Sequence, residues 1–181
     1  SLILNATSIN NTAKGLINST GTLNLTAGSL DSGNGGEVSA TRDMTLVLNA
    51  LSLNGGRVMG DAALSIDMQG SDLNNLGGLI TADGSLTLNR IRDLNNQSGE
   101  DSSATNLLNQ NGLISGWQGL NVFGNRLDNR NNGTLSSRNG NLVTTLTGEL
   151  LNGSNGALVS QNTLSVTADS LDNSGGILSS G

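Results

Sequence analysis

Short bursts of apolar residues alternate with polar ones along this chain, and the bursts return at a nearly fixed interval. A Gly followed two positions later by an aliphatic occurs at Gly15, Gly36, Gly56, Gly78, Gly112, Gly133, Gly156 and Gly176, at intervals of 21, 20, 22, 34, 21, 23 and 20 residues. The aliphatic is Ile17, Val38, Val58, Ile80, Ile114, Leu135, Leu158 and Leu178 in turn, without exception. Eight residues after the Gly comes a second apolar column, Leu23, Met44, Leu64, Leu86, Leu120 and Leu164. It is echoed two positions on by Leu25, Leu46, Ile66, Leu88, Val122 and Val166, and only the unit of Gly133 slips, by one residue, to Leu142. Period-two alternation bounded by Gly, Asn, Asp and Ser predicts two short strands per unit with turns between them. No stretch carries a helical period.

A unit of about 21 residues is too short to bury a core alone, whereas stacked units bury a continuous column of aliphatics. The pattern therefore predicts an all-β fold: a right-handed parallel β-helix, a solenoid of about eight coils with roughly 20–22 residues per coil, its hand set by the crossover preference of parallel strands. Equivalent residues of successive coils would stand about 4.8 Å apart and the rod would be roughly 40 Å long. The alternative, a β-sandwich of evenly spaced hairpins, would not preserve register across so many units of constant length. The 34-residue interval between Gly78 and Gly112 contains a polar run, and predicts a loop extruded from one corner at about 97–106, with the next unit resuming at Leu107. Apart from that loop, residues 1–181 read as a single repeat segment. Leu2 and Leu4 match the second column and Gly181 falls just after a first strand, so both ends lie mid-unit, as expected of a fragment of a longer chain.

Composition explains which residues the coil uses. The chain has 26 Gly, one Trp, one Phe, and no Cys, Pro, His or Tyr. A narrow coil interior suits Leu, Ile and Val rather than rings, and its corners need residues that tolerate positive φ, which Gly and Asn supply. With 34% hydrophobic and 12% charged residues the chain is not a disordered acidic polymer. The formal charge of -6, with only 8 Lys and Arg spread along the sequence, argues against nucleic acid as a partner. No run of about 18 apolar residues exists to span a membrane, and the opening SLILNATSIN lacks the basic and long apolar regions of a signal peptide. Absence of His and Cys excludes nucleophilic triads and His- or Cys-based metal sites.

The phrase LDNSGGILSSG at 171–181, its relatives LNNLGGLITADGSLTL and LDNRNNGTLSSRNGNL, and the period together resemble the haemagglutinin repeats of filamentous haemagglutinin and related adhesins, which also form the stalks of contact-dependent growth inhibition effectors. The resemblance covers essentially the whole chain. It implies a very large Gram-negative exoprotein, secreted to the cell surface by an outer-membrane transporter in two-partner secretion, whose repeats build a long right-handed β-helical fibre. A receptor on a host or neighbouring cell would be its partner. The family's secretion domain carries Asn-Pro signatures. This chain has no Pro, so it resembles shaft rather than secretion domain or C-terminal toxin.

The chemistry on offer is sparse, and no catalytic, cofactor or metal site is expected. A β-helical carbohydrate-active enzyme is the alternative reading; it needs converging carboxylates, and Asp61 and Asp83 share one register five residues after their glycines. Two solvated turn acids explain that pair more simply. GGEVSATRD and GGLITADGS lack the spacing of the calcium-binding nonapeptide, while Glu100 and Asp101 offer oxygens in the extruded loop. N-x-[S/T] triplets, as at Asn5, Asn18, Asn24 and Asn132, follow from a composition rich in Asn, Ser and Thr. Glu37 and Arg57, each one residue past its Gly in adjacent units, should pair on the outside. The same outward position holds Leu16, Leu79, Leu113 and Ile177. A partner patch would therefore centre on Leu79 and Leu113, with the two aromatics Trp117 and Phe123 close by in sequence. The simpler expectation is that the loop folds over Leu79 and Leu113 while Trp117 seals its corner.

Overall fold

Each Gly-x-aliphatic tripeptide opens a four-residue strand, and in the computed structural model, which describes residues 1–99 and 111–181, those strands pair side by side in parallel. They are Leu16–Ser19, Glu37–Ala40, Arg57–Gly60, Leu79–Ala82, Leu113–Gly116, Thr134–Ser137, Ala157–Ser160 and Ile177–Ser180, in that order across one eight-stranded sheet. Every neighbouring pair is in register, with Val38 beside Val58, Ile80 beside Ile114, and Leu135 beside Leu158. The peptide carbonyl of each unit's Gly accepts the amide that follows the next unit's Gly, as from Leu79 to Gly56 at 3.0 Å and from Thr134 to Gly112 at 2.8 Å. The alternation thus becomes a β-solenoid of about eight turns, and among the described residues every strand pair is parallel and none is a hairpin.

A second sheet of eleven strands carries the rest of each turn. Its members include Leu2–Asn10, Leu23–Asp31, Leu64–Asn74, Leu86–Asn95 and Leu120–Asp128, with the remaining turns split into two shorter strands. Leu2 pairs with Leu23 and Leu4 with Leu25, as their match to the second column predicted. The slip at Leu142 is absorbed in the corner before it, and Leu142 pairs with Leu120 and Leu164.

The structure corrects the two-strand reading of the unit. A third apolar column runs unbroken through Ile9, Leu30, Leu51, Leu73, Leu94, Leu127, Leu150 and Leu171, so each turn contributes three inward-facing segments. Leu30, Leu51, Leu73, Leu94, Leu127 and Leu150 are at most 1% exposed. Together the columns form one core from end to end, with each fully buried aliphatic contributing about 1.5–3 kcal/mol. At the end turns Leu2, Leu4, Ile17, Leu164 and Leu178 are only partly covered.

The role of the repeated Gly is also different from the one composition suggested. None of the eight repeat glycines has positive φ; in the seven units whose preceding corner is described, that conformation falls on the residues before them. Where the Gly follows the corner residue by three positions, one residue turns left-handed, and it is Gly55, Gly77 or Gly175. Where it follows by four, two consecutive residues do so: Ala13 and Lys14, Asn34 and Gly35, Asn131 and Asn132, or Ser154 and Asn155. The repeat glycines are required by close approach instead. A Cβ on Gly36, Gly56, Gly133 or Gly176 would overlap the carbonyl oxygen of Asn11, Ser32, Asn96 or Asn152 in the turn before.

The loop expected at 97–106 enters at this same corner. Gln97 and Ser98 still follow the solenoid, Gln97 accepting from the Gly77 amide at 2.8 Å and Ser98 donating its amide to Asn131 at 2.9 Å. From 100 onward the loop, with Glu100, Asp101 and the expected restart at Leu107, lies outside the described residues.

Candidate functional site

The phrase Leu-[Asp/Asn]-Asn places three side chains in three roles. The Leu joins the third column. The next residue faces outward and caps the turn through its own side chain: Asn10, Asp31, Asp128 and Asp172 each accept the amide two residues on, at 2.9–3.2 Å. The Asn that follows points into the corner and joins its equivalents in a ladder along the axis. Asn75 Nδ2 donates to Asn96 Oδ1 at 2.8 Å, Asn96 to Asn129 at 2.7 Å, Asn129 to Asn152 at 2.8 Å and Asn152 to Asn173 at 2.9 Å. Each amide also reaches backbone carbonyls that frame the corner, as Asn129 reaches those of Gly133 and Ala157 at 3.1 Å. Asn75, Asn96, Asn129 and Asn152 are fully buried. The ladder satisfies carbonyls at a corner where the backbone leaves the sheet pattern, which any buried turn must do.

One rung is missing. Leu53 occupies the ladder position of its turn, so Asn75 Oδ1 receives no donor and is left buried without a partner. At the other end of the break, Asn11 donates to Ser32 Oγ at 3.0 Å. Sequence reasoning missed the ladder because it anchored on Gly alone. The doublets Asn74–Asn75, Asn95–Asn96, Asp128–Asn129 and Asp172–Asn173 were the visible signal.

Charged side chains tie neighbouring turns together on the outside. Glu37 and Arg57 pair as expected, Oε1 to Nε at 2.6 Å, and stand directly opposite one another in register. Partial burial works against the Glu37 carboxylate, but hydrogen bonds from Arg57 and Ser39 outweigh it and hold its pKa below the usual value. Arg92 grips Asp72 with two bonds of 2.8 and 2.7 Å, and Arg90 grips Asp67 in the same manner; each Arg bond lowers the pKa of its carboxyl. Asp128, 3% exposed, is desolvated yet still lowered, because Arg130 donates twice to it, at 2.9 and 2.7 Å, and Arg126 stands 3.8 Å away. Arg126 in turn binds Glu149 at 2.7 Å.

Asp61 and Asp83 lie at the same corner in adjacent turns and are both exposed. An open polar hollow of about 390 Å³ lies over the turn at Asn49 and Ala50, lined among others by Asp31, Ser52, Asp72, Asn74 and Arg92. Its charged groups are already engaged, Asp72 by Arg92 and Asp31 by the Gly33 amide. Among the described residues no group of three or more His, Cys, Asp or Glu side chains could hold a metal. Among the described residues no helix is long and apolar enough to cross a membrane.

The residues of the expected patch fall on two sheets. Leu79 and Leu113 are adjacent, half-buried, on the outer face of the eight-stranded sheet. Phe123, 39% exposed, faces outward from the eleven-stranded sheet beside Thr145. Trp117, 45% exposed, sits at the corner between them, with the Arg138 guanidinium 5.6 Å from its ring centroid, at cation-π distance.

A stack of parallel coils held by aliphatic columns, a corner amide ladder and outer ion pairs defines a structural β-solenoid. The haemagglutinin-repeat family model matches residues 2–116, 102–154 and 139–181, and the chain belongs to that family. Family membership makes it a structural, adhesin-like repeat segment of an exoprotein, secreted or surface-exposed. Neither the curated proteins nor the solved structures contain a match.

Proposed function

We propose that this chain is one continuous segment of the shaft of a large exoprotein of a Gram-negative bacterium, an adhesin or a contact-dependent growth inhibition effector. It carries a functional tip away from the cell after export through an outer-membrane two-partner-secretion transporter. The observation that supports this most directly is the continuity of the coil. Three apolar columns and the in-register Gly-strand sheet continue through the turns on both sides of the corner where the loop enters, as a spacer requires.

A spacer reading makes coils interchangeable. Excising 36–55 in the full-length exoprotein joins Gly35 to Gly56, preserves the phase of every column and shortens the rod by about 4.8 Å. Export and cell binding should persist. Loss of binding by a folded, exported variant would instead make those coils a recognition element. For a direct contact, the proposed patch is Leu79, Leu113, Trp117 and Phe123, with the loop at 97–106 falling between Leu79 and Leu113 in sequence. Trp117→Ala combined with deletion of 97–106, with folding checked by circular dichroism, should reduce binding to a host or neighbouring-cell receptor if that patch is used, and leave it unchanged if these coils are spacer alone.

A further inference from the structure

The outer face of the eight-stranded sheet has the form of a contact surface. All eight strands are in register without a bulge, so the face is a regular plane four residues deep. Of the charged residues described, only Glu37 and Arg57 lie on it, and they neutralise each other. The outward position after each repeat Gly reads Leu16, Glu37, Arg57, Leu79, Leu113, Thr134, Ala157, Ile177. Its large aliphatics occupy the first, fourth, fifth and eighth strands, an order that is the same from either end. Leu16 is 65% and Ile177 56% exposed.

We propose that this face is an interface between two copies of the chain, stacked face to face about a two-fold axis that lies along the strands between Leu79–Ala82 and Leu113–Gly116. Such an axis reverses the coil order of the partner. Leu79 of each copy then meets Leu113 of the other, Leu16 meets Ile177, and the neutralised Glu37–Arg57 pair meets Ala157 and Thr134, so no charge faces a like charge. Sheets stack about 10 Å apart, the distance that interdigitated Leu side chains fill. Eight strands at about 4.8 Å and four residues at about 3.3 Å give about 500 Å² per copy, or about 1,000 Å² in all. That is the lower limit for a specific interface and corresponds to a weak, reversible dimer. In a fibre, such contacts would join shafts that run in opposite directions.

Sedimentation equilibrium of the intact chain over about 5 to 200 μM should show a monomer at the low end and a dimer growing in at the high end, the range set by the small area. Leu79→Lys with Leu113→Lys, on outward positions that leave the core untouched, should abolish the dimer, whereas Trp117→Ala should leave it unchanged. The chain has no cysteine, so orientation is readable with a bifunctional thiol reagent long enough to span the roughly 10 Å between the sheets: Leu16→Cys mixed with Ile177→Cys should cross-link, and neither variant should do so alone. A monomer at every concentration overturns the proposal. So does association that survives the double Lys variant, which would place the contact at the partly covered end turns, and so does cross-linking of Leu16→Cys with itself.

Discussion

Thr144 stands where the neighbouring turns place Val122 and Val166, 1% exposed, and its hydroxyl has no partner. An unsatisfied buried hydroxyl costs about 1–3 kcal/mol, and valine has nearly the same shape. Thr144→Val should therefore stabilise the chain by about 1–2 kcal/mol, seen as a rise of a few degrees in Tm; an unchanged or lower Tm would mean that the hydroxyl is satisfied in solution. The Asn ladder is a second case in which one atom decides the cost. Asn129→Ala removes a donor to Asn152 and an acceptor from Asn96, leaving both buried neighbours short of a partner. Asn75→Ala strands only Asn96, because Leu53 offers Asn75 Oδ1 nothing. Chemical denaturation should find Asn129→Ala the more damaging, by about 1 kcal/mol or more. Equal losses would show that ladder bonds contribute little beyond the backbone contacts each amide makes.

At the scale of the element, the unit is a strand, a corner and two further strands, and only part of that was legible in the sequence. The Gly-x-aliphatic strand was plain because its marker and its column are two residues apart in every unit. Leu2, Leu4 and the Glu37–Arg57 pair followed from the same phase. The third column was hidden because Leu30, Leu51, Leu73, Leu94, Leu127, Leu150 and Leu171 lie a variable 15 to 17 residues after their glycines. For Leu73 and Leu94 the extra residues lie in the corner before them, where Gln69, Gly70 and Arg90 take positive φ and the pairing of the two turns shifts register. Paired side chains such as Arg92 and Asp72 could not be matched across that corner by counting. The marker itself was misjudged, since the repeat Gly is chosen for the absence of a Cβ rather than for its dihedral freedom. Gly56→Ala tests this: its φ suits alanine, yet the methyl would drive into the Ser32 carbonyl, and no flexible side chain is there to yield. The loss should be about 3 kcal/mol or more. Stability within 1 kcal/mol of the parent would show that the turns separate easily at this corner.

The whole molecule is held along its axis by contacts between each turn and the next, and those that ionise make its stability depend on pH. The cross-turn carboxylates with lowered pKa values are Glu37 with Arg57, Asp67 with Arg90 and Asp72 with Arg92, while Asp128 holds Arg130 within its own turn and stands near Arg126. All four carboxyls have pKa values lowered from ordinary values of 4.5 for Glu and 3.8 for Asp. A lowered pKa means that the unfolded chain takes up the proton first. The stabilisation is therefore complete above the ordinary pKa and disappears as pH falls through the lower folded value. With no His in the chain, nothing comparable titrates between about pH 6 and 8. Tm should be level from neutral pH down to about 5 and fall below about 4, where these carboxyls begin to protonate. Of the four, Asp128 is the best buried, and once neutral it leaves Arg130 without its anion. Asp128→Asn should lower Tm at pH 7 and flatten the acid limb of the curve. Asp67→Asn, on an exposed pair, should change both much less, because solvent screens that interaction. A Tm that falls equally with pH in the parent and in Asp128→Asn would assign the acid sensitivity to the exposed cross-turn pairs instead.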